Sequence, residues 1–508
     1  MAALHKHTLH KHLMIASVVA IVAGALSTLS LSPFEFWPAA PLSLYLFIHL
    51  LQTDHLGKAT LLGWLYGVGM FGTGSSWVYV SIHVHGYAPV PLALLLTTLW
   101  TMALALLPAL FAFSYVRFVA PHRGAILLGF PALWVLFEWL RSWLLTGFPW
   151  LYLGYGGIDT WLAGWAPIGG VYLLSLAISF SAAGIFLICH QTNNSIRSIA
   201  AAIVATLWLG GLALSEIEWT SSESRQELKI GIVQANIPQQ LKWQPAYYDT
   251  TLDIYQQMTN RLKNKDIIIW PEAAIPNYYQ NAQEFLLPIA ENLEQQDTTL
   301  ITGIPFINKA NGDIKIHNSI AAMGNGSGIY HKQRLVPFGE YVPMESLLRG
   351  LIQFFDLPMS SFSPGEPDQA LLKAGKYLAA PFICYEIVYP DLVREFARQA
   401  DFLITVSNDS WFGASIGPLQ HLQMARMRAL ENGRYLIRST NNGISAVINP
   451  DGSIQSQSKQ FVAQTLSGHI HAVDGHTPFS GTGSLPVLAF CAVALAGLVL
   501  KKRVQKKV

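Results

Sequence analysis

The sequence predicts a multi-span α-helical membrane domain joined to an extramembrane α/β domain, and three observations predict it. The 508 residues are 52% hydrophobic and only 12% charged, with a mean hydropathy of +0.34, whereas soluble chains carry about a quarter charged residues. The long apolar runs gather in 1–215 and 484–500. Between them, in 220–482, short β-rich runs alternate with helical patterns.

The elements follow in chain order. Spans are expected near 13–31, 38–52, 58–80, 88–116, 124–145, 164–189 and 197–215, with one more at 484–500. A span takes about 20 apolar residues, so 38–52 is the shortest candidate. The first run is too long for a signal-peptide core and another span follows at once, so it is expected to stay attached. The basic ends "HKHTLHKH" and "KKRVQKKV" place both termini in the cytoplasm by the positive-inside rule. The polar segment between spans seven and eight then lies outside, in the periplasm of a Gram-negative cell. The domains are therefore 1–215 with seven spans, 220–482 outside, and 484–508 as a last span and basic tail. Glu138 and Arg141, three apart in a span, are expected to pair or face the bundle interior.

In the polar segment, strands are expected at 228–237, 266–270, 299–305, 377–384, 401–407 and 443–450. Helical patterns cover 246–264, 282–296, 389–399 and 417–433. Strands alternating with helices argue an α/β domain, and about 260 residues suffice for a full core. "SEIEWTSSESRQE" (215–227) reads as a linker. A net charge of +2 suggests no nucleic-acid partner. The three cysteines are far apart, and Cys189 and Cys491 lie in apolar runs, so no disulfide framework is implied.

Chemistry-bearing residues stand where strands end. "IIIWPEA" delivers Glu272 after a strand-stopping proline. "YHKQRLVPFGEYVP" supplies Lys332 and Glu340, and "FICYE" places Cys384 just before a helix. A nucleophile in a strand-to-helix turn is exposed, and the N–H beside it can face an oxyanion. Each residue taken singly has a plainer reading: Glu272 as a helix cap, Lys332 as a solvated charge, Glu340 as a turn closer, Cys384 as a small buried hydrophobe. His421, Arg426 and Arg428 read as parts of a structural helix. The histidines at 5, 7, 10 and 12, beside Lys6 and Lys11, read as a basic flank rather than a metal site.

The set resembles the nitrilase superfamily, with its Glu-Lys-Cys triad in an α-β-β-α sandwich. With flanking spans, and with "NIPQQLKW", "WPEAAIP", "LVPFGEYVP", "FFDLPMSSFSPG", "ICYE", "SNDSWFG" and "QHLQMARMRALENGRYLIRSTNNG" in this order, it is similar to the apolipoprotein N-acyltransferase family. The resemblance covers nearly the whole chain and is loosest in the N-terminal spans. It implies catalytic Glu272, Lys332 and Cys384, supported by Glu340, Tyr385 and Glu386. The motifs around Trp243 and Trp411 suggest that they line the acyl or lipoprotein site, the apolar segment 344–365 adds Phe354 and Phe355 against the substrate, and neither metal nor organic cofactor is needed. The implied reaction moves an acyl chain, through a cysteine thioester, from a phospholipid to the amine of a diacylglyceryl-cysteine apolipoprotein. The family suggests phosphatidylethanolamine and its sn-1 chain as donor, in the bacterial inner membrane. Oligomeric state stays open, with a monomer the working expectation. The apolar segment 344–365 is expected to dip into the outer leaflet, or else to pack as an ordinary helix. Rival readings are a membrane-tethered amidase and a catalytically dead nitrilase-like receptor.

Overall fold

A computed structural model describes residues 2–221, 226–310, 313–341 and 361–505. The chain divides into two compact units. One holds Met1–Ile82, Pro89–Ile217 and Thr482–Val508; the other holds His83–Ala88 with Glu218–Gly481.

The first unit is helical. Among the described residues, five helices are long and apolar enough to cross a membrane: Lys11–Leu29, Val90–Val119, Ala125–Thr146, Trp161–His190 and Asn194–Leu214. Leu56–Gly74 adds a 19-residue helix, and Ala39–Leu50 and Leu485–Leu500 are shorter apolar helices. Glu138 and Arg141 are both buried. Glu138 Oε1 accepts from Leu153 N at 3.0 Å and Trp134 Nε1 at 3.1 Å, and Arg141 Nη2 donates to Leu151 O at 3.3 Å. The two side chains thus hold the backbone of 147–158. This irregular stretch is buried throughout. Buried irregular backbone is tolerated where its polar groups find partners.

The second unit contains fourteen strands among its described residues. They are β1 (Thr220–Ser221), β2 (Glu227–Gln234), β3 (Ile267–Trp270), β4 (Thr299–Ala310), β5 (Asp313–Gly324), β6 (Gly326–His331) and β7 (Leu372–Ala374). There follow β8 (Tyr377–Ile383), β9 (Phe402–Ser407), β10 (Leu436–Thr440), β11 (Ala446–Ile448), β12 (Ile454–Gln457), β13 (Gln464–His471) and β14 (Asp474–Gly475). Part of the expected linker is structured, since β1 pairs with β14. The other twelve form one ordered series, β12-β11-β10-β9-β8-β7-β6-β5-β4-β3-β2-β13. The series folds back on itself, so that β10 packs over β2 and β3, and β11 and β12 over β13.

Two sets of parallel strands form the two layers, β2-β3-β4 and β8-β9-β10. Parallel neighbours need crossovers. Helices Tyr248–Asn260, Gln283–Glu294, Pro390–Ala397 and Gly417–Asn432 supply them, covering the outer faces. Strands buried on both faces read as unbroken apolar runs, as "IIIW" in β3 and "FLITVS" in β9 do. Val233, Ile268, Trp270, Leu286, Leu300 and Ile304 share one buried cluster in the β2-β3-β4 half. The architecture is the α-β-β-α sandwich that the sequence predicts. It brings the C-terminal ends of β3, β8, β9 and β10 together.

Candidate active site

Glu272 stands two residues beyond β3. Its turn is tight: Ala273 takes a left-handed φ of 45°, and Ala274 N donates to Gly303 O at 2.8 Å. A Cβ on Gly303 would lie 2.6 Å from Glu272 Cα and from Pro271 O, so only glycine fits there. The carboxylate is held at both oxygens, with Asn318 Nδ2 at 2.7 Å from Oε1 and Asn408 N at 2.7 Å from Oε2.

Lys332 is the first residue after β6. Its Nζ lies 2.9 Å and 2.8 Å from the two Glu340 oxygens and 3.8 Å from Glu272 Oε1. Asn318 Nδ2 also donates to Glu340 Oε1 at 2.9 Å, and Val336 N donates to Oε2 at 2.8 Å. One amide therefore bridges the two carboxylates while one ammonium lies between them. Burial pulls the Lys332 ammonium down, but Glu340 and then Glu272 outweigh it, and the group stays charged.

Cys384 follows β8 and opens the 3-10 turn Cys384–Val388. It is partly exposed and takes a left-handed φ of 50°. Non-glycine residues there cost roughly 1–2 kcal/mol, so the surroundings must hold the turn. Glu386 holds one side. Its Oε2 accepts from Ile383 N at 2.8 Å, while Oε1 accepts from Tyr330 Oη, Gln333 N and Arg334 N at 2.9, 2.7 and 3.2 Å. The cysteine turn and the lysine segment are thus tied to one carboxylate. Burial pushes that carboxyl up to about 7, against the pull of Lys332.

Burial, then the Glu272 charge, pushes the Cys384 thiol well up, while Lys332 pulls it back. The resting group is a neutral thiol. Burial also raises Glu272, with Lys332 opposing. A carboxylate of raised basicity near a neutral thiol can accept its proton, and the move leaves the net charge of the site unchanged. The fixed cation of Lys332 can then face a developing oxyanion. No group of three His, Cys, Asp or Glu side chains among the described residues is placed to hold a metal ion.

The structure brings Glu272, Lys332, Cys384, Glu340 and Glu386 together. Tyr385 is buried, its ring 5.4 Å from that of Tyr389. Trp243 follows the short helix Gln239–Lys242 and is 38% exposed; Trp411 is half-buried in the turn Asp409–Phe412. Phe354 and Phe355, with most of 344–365, lie outside the described residues. Where description resumes, Phe362 N donates to Glu340 O at 3.0 Å and Gly365 N to Lys332 O at 2.7 Å.

Sequence reasoning missed three groups. Asn318 is a polar residue inside β5, and Asn408 acts through its backbone within "SNDSWFG". Lys242, buried in "NIPQQLKW", donates from Nζ to Glu272 O at 3.1 Å. His421, read as part of a structural helix, does lie buried in helix Gly417–Asn432, with its Nε2 3.1 Å from Cys384 O. Helical spacing alone cannot distinguish a core histidine from one aimed at a neighbouring turn.

The folded-back double layer belongs to a carbon-nitrogen hydrolase domain, since residues 229–475 match the family model of that description. Residues 23–184 match the model described as apolipoprotein N-acyltransferase N-terminal domain. The chain is 44% identical to the apolipoprotein N-acyltransferase of Pseudomonas syringae pv. tomato, covering 97% of this chain and 98% of that one. The enzyme of that name from Pseudomonas aeruginosa is 44% identical, covering 96% of each. That from Coxiella burnetii is 40% identical, covering 94% of this chain and 99% of the other. The chain belongs to the apolipoprotein N-acyltransferase family.

Proposed function

We propose that this protein N-acylates bacterial lipoproteins at a membrane, moving the chain through a thioester on Cys384. The observation that carries the reading is the charge set Glu272–Lys332–Glu340, gathered with the Cys384 turn in a chain rich in apolar helices. Cys384 Sγ attacks the ester carbonyl of a phospholipid while Glu272 takes its proton. The tetrahedral oxygen faces Lys332 and the N–H of Tyr385. The ester C–O bond breaks, the proton passes from Glu272 to the leaving alkoxide, and a lysophospholipid departs.

The amine of the lipoprotein's diacylglyceryl-cysteine then attacks the thioester and gives a proton to Glu272. Collapse forms the amide and returns the proton to the thiol. Glu340, Tyr385 and Glu386 fix the lysine and the thiol, while Trp243 and Trp411 line the path of the lipid. Phosphatidylethanolamine is the proposed donor. The distribution of Lys and Arg supports seven spans before the catalytic domain and one after it, both termini in the cytoplasm and 220–482 in the periplasm.

The test uses purified full-length protein, labelled phospholipid and no acceptor. A labelled adduct forms on the parent and not on C384A, provided that C384A is folded and membrane-inserted. An amidase or a dead receptor gives no adduct in either. An acylated C384A protein removes Cys384 from its role.

A further inference from the structure

We propose that His421, braced by Arg438 and Asp409, is a positioning residue that sets the peptide following Cys384. The inference rests on Cys384 being the nucleophile. Its starting point is the left-handed turn at that residue, which must be pinned on both sides. Glu386 pins the Ile383 N–H before it. His421 Nε2, 3.1 Å from Cys384 O, pins the carbonyl after it.

The carbonyl and the hydrogen-bonding rules settle the tautomer. A carbonyl oxygen only accepts, so Nε2 carries the hydrogen. The Nδ1 lone pair is then free to accept from Arg438 Nη2 at 3.1 Å. That same Nη2 donates to Asp409 Oδ2 at 2.7 Å, and Arg438 Nε donates to Ile444 O at 3.2 Å. All three side chains are buried. Gly443 lies so close to Asp409 that a Cβ there would strike the carboxylate, so only glycine leaves room for it. Burial and then the Arg438 charge keep the imidazole below its ordinary range, so the ring stays neutral. Nδ1 also lies 3.4 Å from Asp409 Oδ1, so Arg438 and Asp409 both brace the edge of the ring opposite Cys384 O.

The consequence lies across the peptide plane. The Cys384 carbonyl and the Tyr385 N–H belong to the same planar unit, so holding one fixes the direction of the other. A hydrogen bond accepted by the carbonyl also polarises the amide and strengthens its N–H as a donor. That N–H is the backbone donor assigned to the oxyanion. A core histidine satisfied by some other carbonyl would have neither effect.

The test measures acyl-enzyme formation in single turnovers by the full-length protein, normalised to reactive Cys384 thiol. The variants are H421L, H421N and H421Q. Glutamine can place an amide N–H near the Nε2 position, whereas asparagine is too short and leucine has no donor. At saturating phospholipid, H421L and H421N should acylate ~10–100-fold more slowly than the parent, at an unchanged half-saturating concentration. H421Q should recover to within about threefold. A purely structural histidine would lower the melting temperature without this order among the variants. If H421L does not fold, the comparison of asparagine with glutamine carries the test. A rate per thiol within about twofold of the parent in the variants lacking a donor overturns the assignment, as does a glutamine variant no faster than asparagine. A parent that forms no thioester instead overturns the reading beneath it.

Discussion

Replacing Lys332 by methionine probes the charge set from the stability side. The ammonium is 1% exposed and lies between Glu272 and Glu340, which are 7% and 6% exposed. Methionine keeps most of the volume and removes the charge, leaving two buried carboxylates around the single amide of Asn318. Breaking a buried ion pair by removing one partner costs about 3–5 kcal/mol. For a domain of about 250 residues that is on the order of 10 °C in melting temperature.

The pH dependence gives the sharper test. Lys332 has a folded value above its unfolded one, so in the parent its contribution is complete below the unfolded value and constant across the neutral range. Glu272 is already raised by burial, and losing the cation raises it further. A carboxyl raised in the folded state contributes stability that is present below its unfolded value and lost as pH rises through the folded one. The gap between parent and K332M should therefore be widest at neutral pH and close as pH falls toward about 5. Adding E272Q to K332M removes one of the stranded charges and should recover part of the loss. Melting curves in detergent from about pH 5 to 8 measure both effects. A gap that is absent at neutral pH, or that widens in acid, refutes the reasoning.

Two further predictions concern the Glu272 turn. G303A places a Cβ against backbone that cannot yield, so it should cost about 1–3 kcal/mol and slow thioester formation at least ~10-fold through misplacement of the carboxylate; parent-like acylation would contradict the close fit. Lys242 is held down to about 8 by burial, with Glu272 partly offsetting it. Its charge therefore costs stability below that pH, roughly 3 kcal/mol when fully protonated, and the cost disappears above the unfolded value. K242M removes this cost and about 1 kcal/mol of hydrogen bond with it. Its melting temperature relative to the parent should be most favourable near pH 6–7 and decline toward about pH 10; a difference independent of pH would refute the buried charge.

What the sequence reveals follows from where the information sits. β3, β4, β8 and β9 are legible because strands covered on both faces must be apolar along their length. β10 is not, because "LIRST" carries Arg438, and an arginine in a short run argues against a buried strand. The arginine is buried because Asp409, 29 positions earlier, meets it at 2.7 Å. β5 is obscured in the same way by His317, Asn318 and Ser319, the last two of which are almost fully buried. The edge strand β13, "QTLSGHIH", is half-exposed and free to be polar. The proximity of Glu272, Lys332 and the Cys384 turn could be anticipated from motifs because these are side-chain features. The Asn408 and Ile383 N–H groups could not, since any residue but proline supplies an N–H.

The same division explains where the molecule accepts strain. Left-handed backbone occurs at twelve non-glycine residues among those described, and four of them, Asn236, Ala273, Phe338 and Cys384, lie in turns that build or border the site. Each costs on the order of 1 kcal/mol or more and persists only where neighbours over-determine it. Asn236 N donates to Asn441 O at 2.8 Å and Phe338 N to Tyr341 O at 2.8 Å. Ala273 is trapped by the contact with Gly303, and Cys384 lies between Glu386 and His421. A parallel strand ends with its carbonyls and side chains fanning outward, and a tight left-handed residue there brings a side chain or an N–H back toward a common centre. The strain is therefore the cost of convergence, and the buried carboxylates and asparagines around it are what keep the converged geometry from relaxing. Substitutions that ease these turns should stabilise the fold while separating Glu272, Lys332 and Cys384. That is why sequence rules for comfortable backbone fail at these positions and hold through the strands that lead to them.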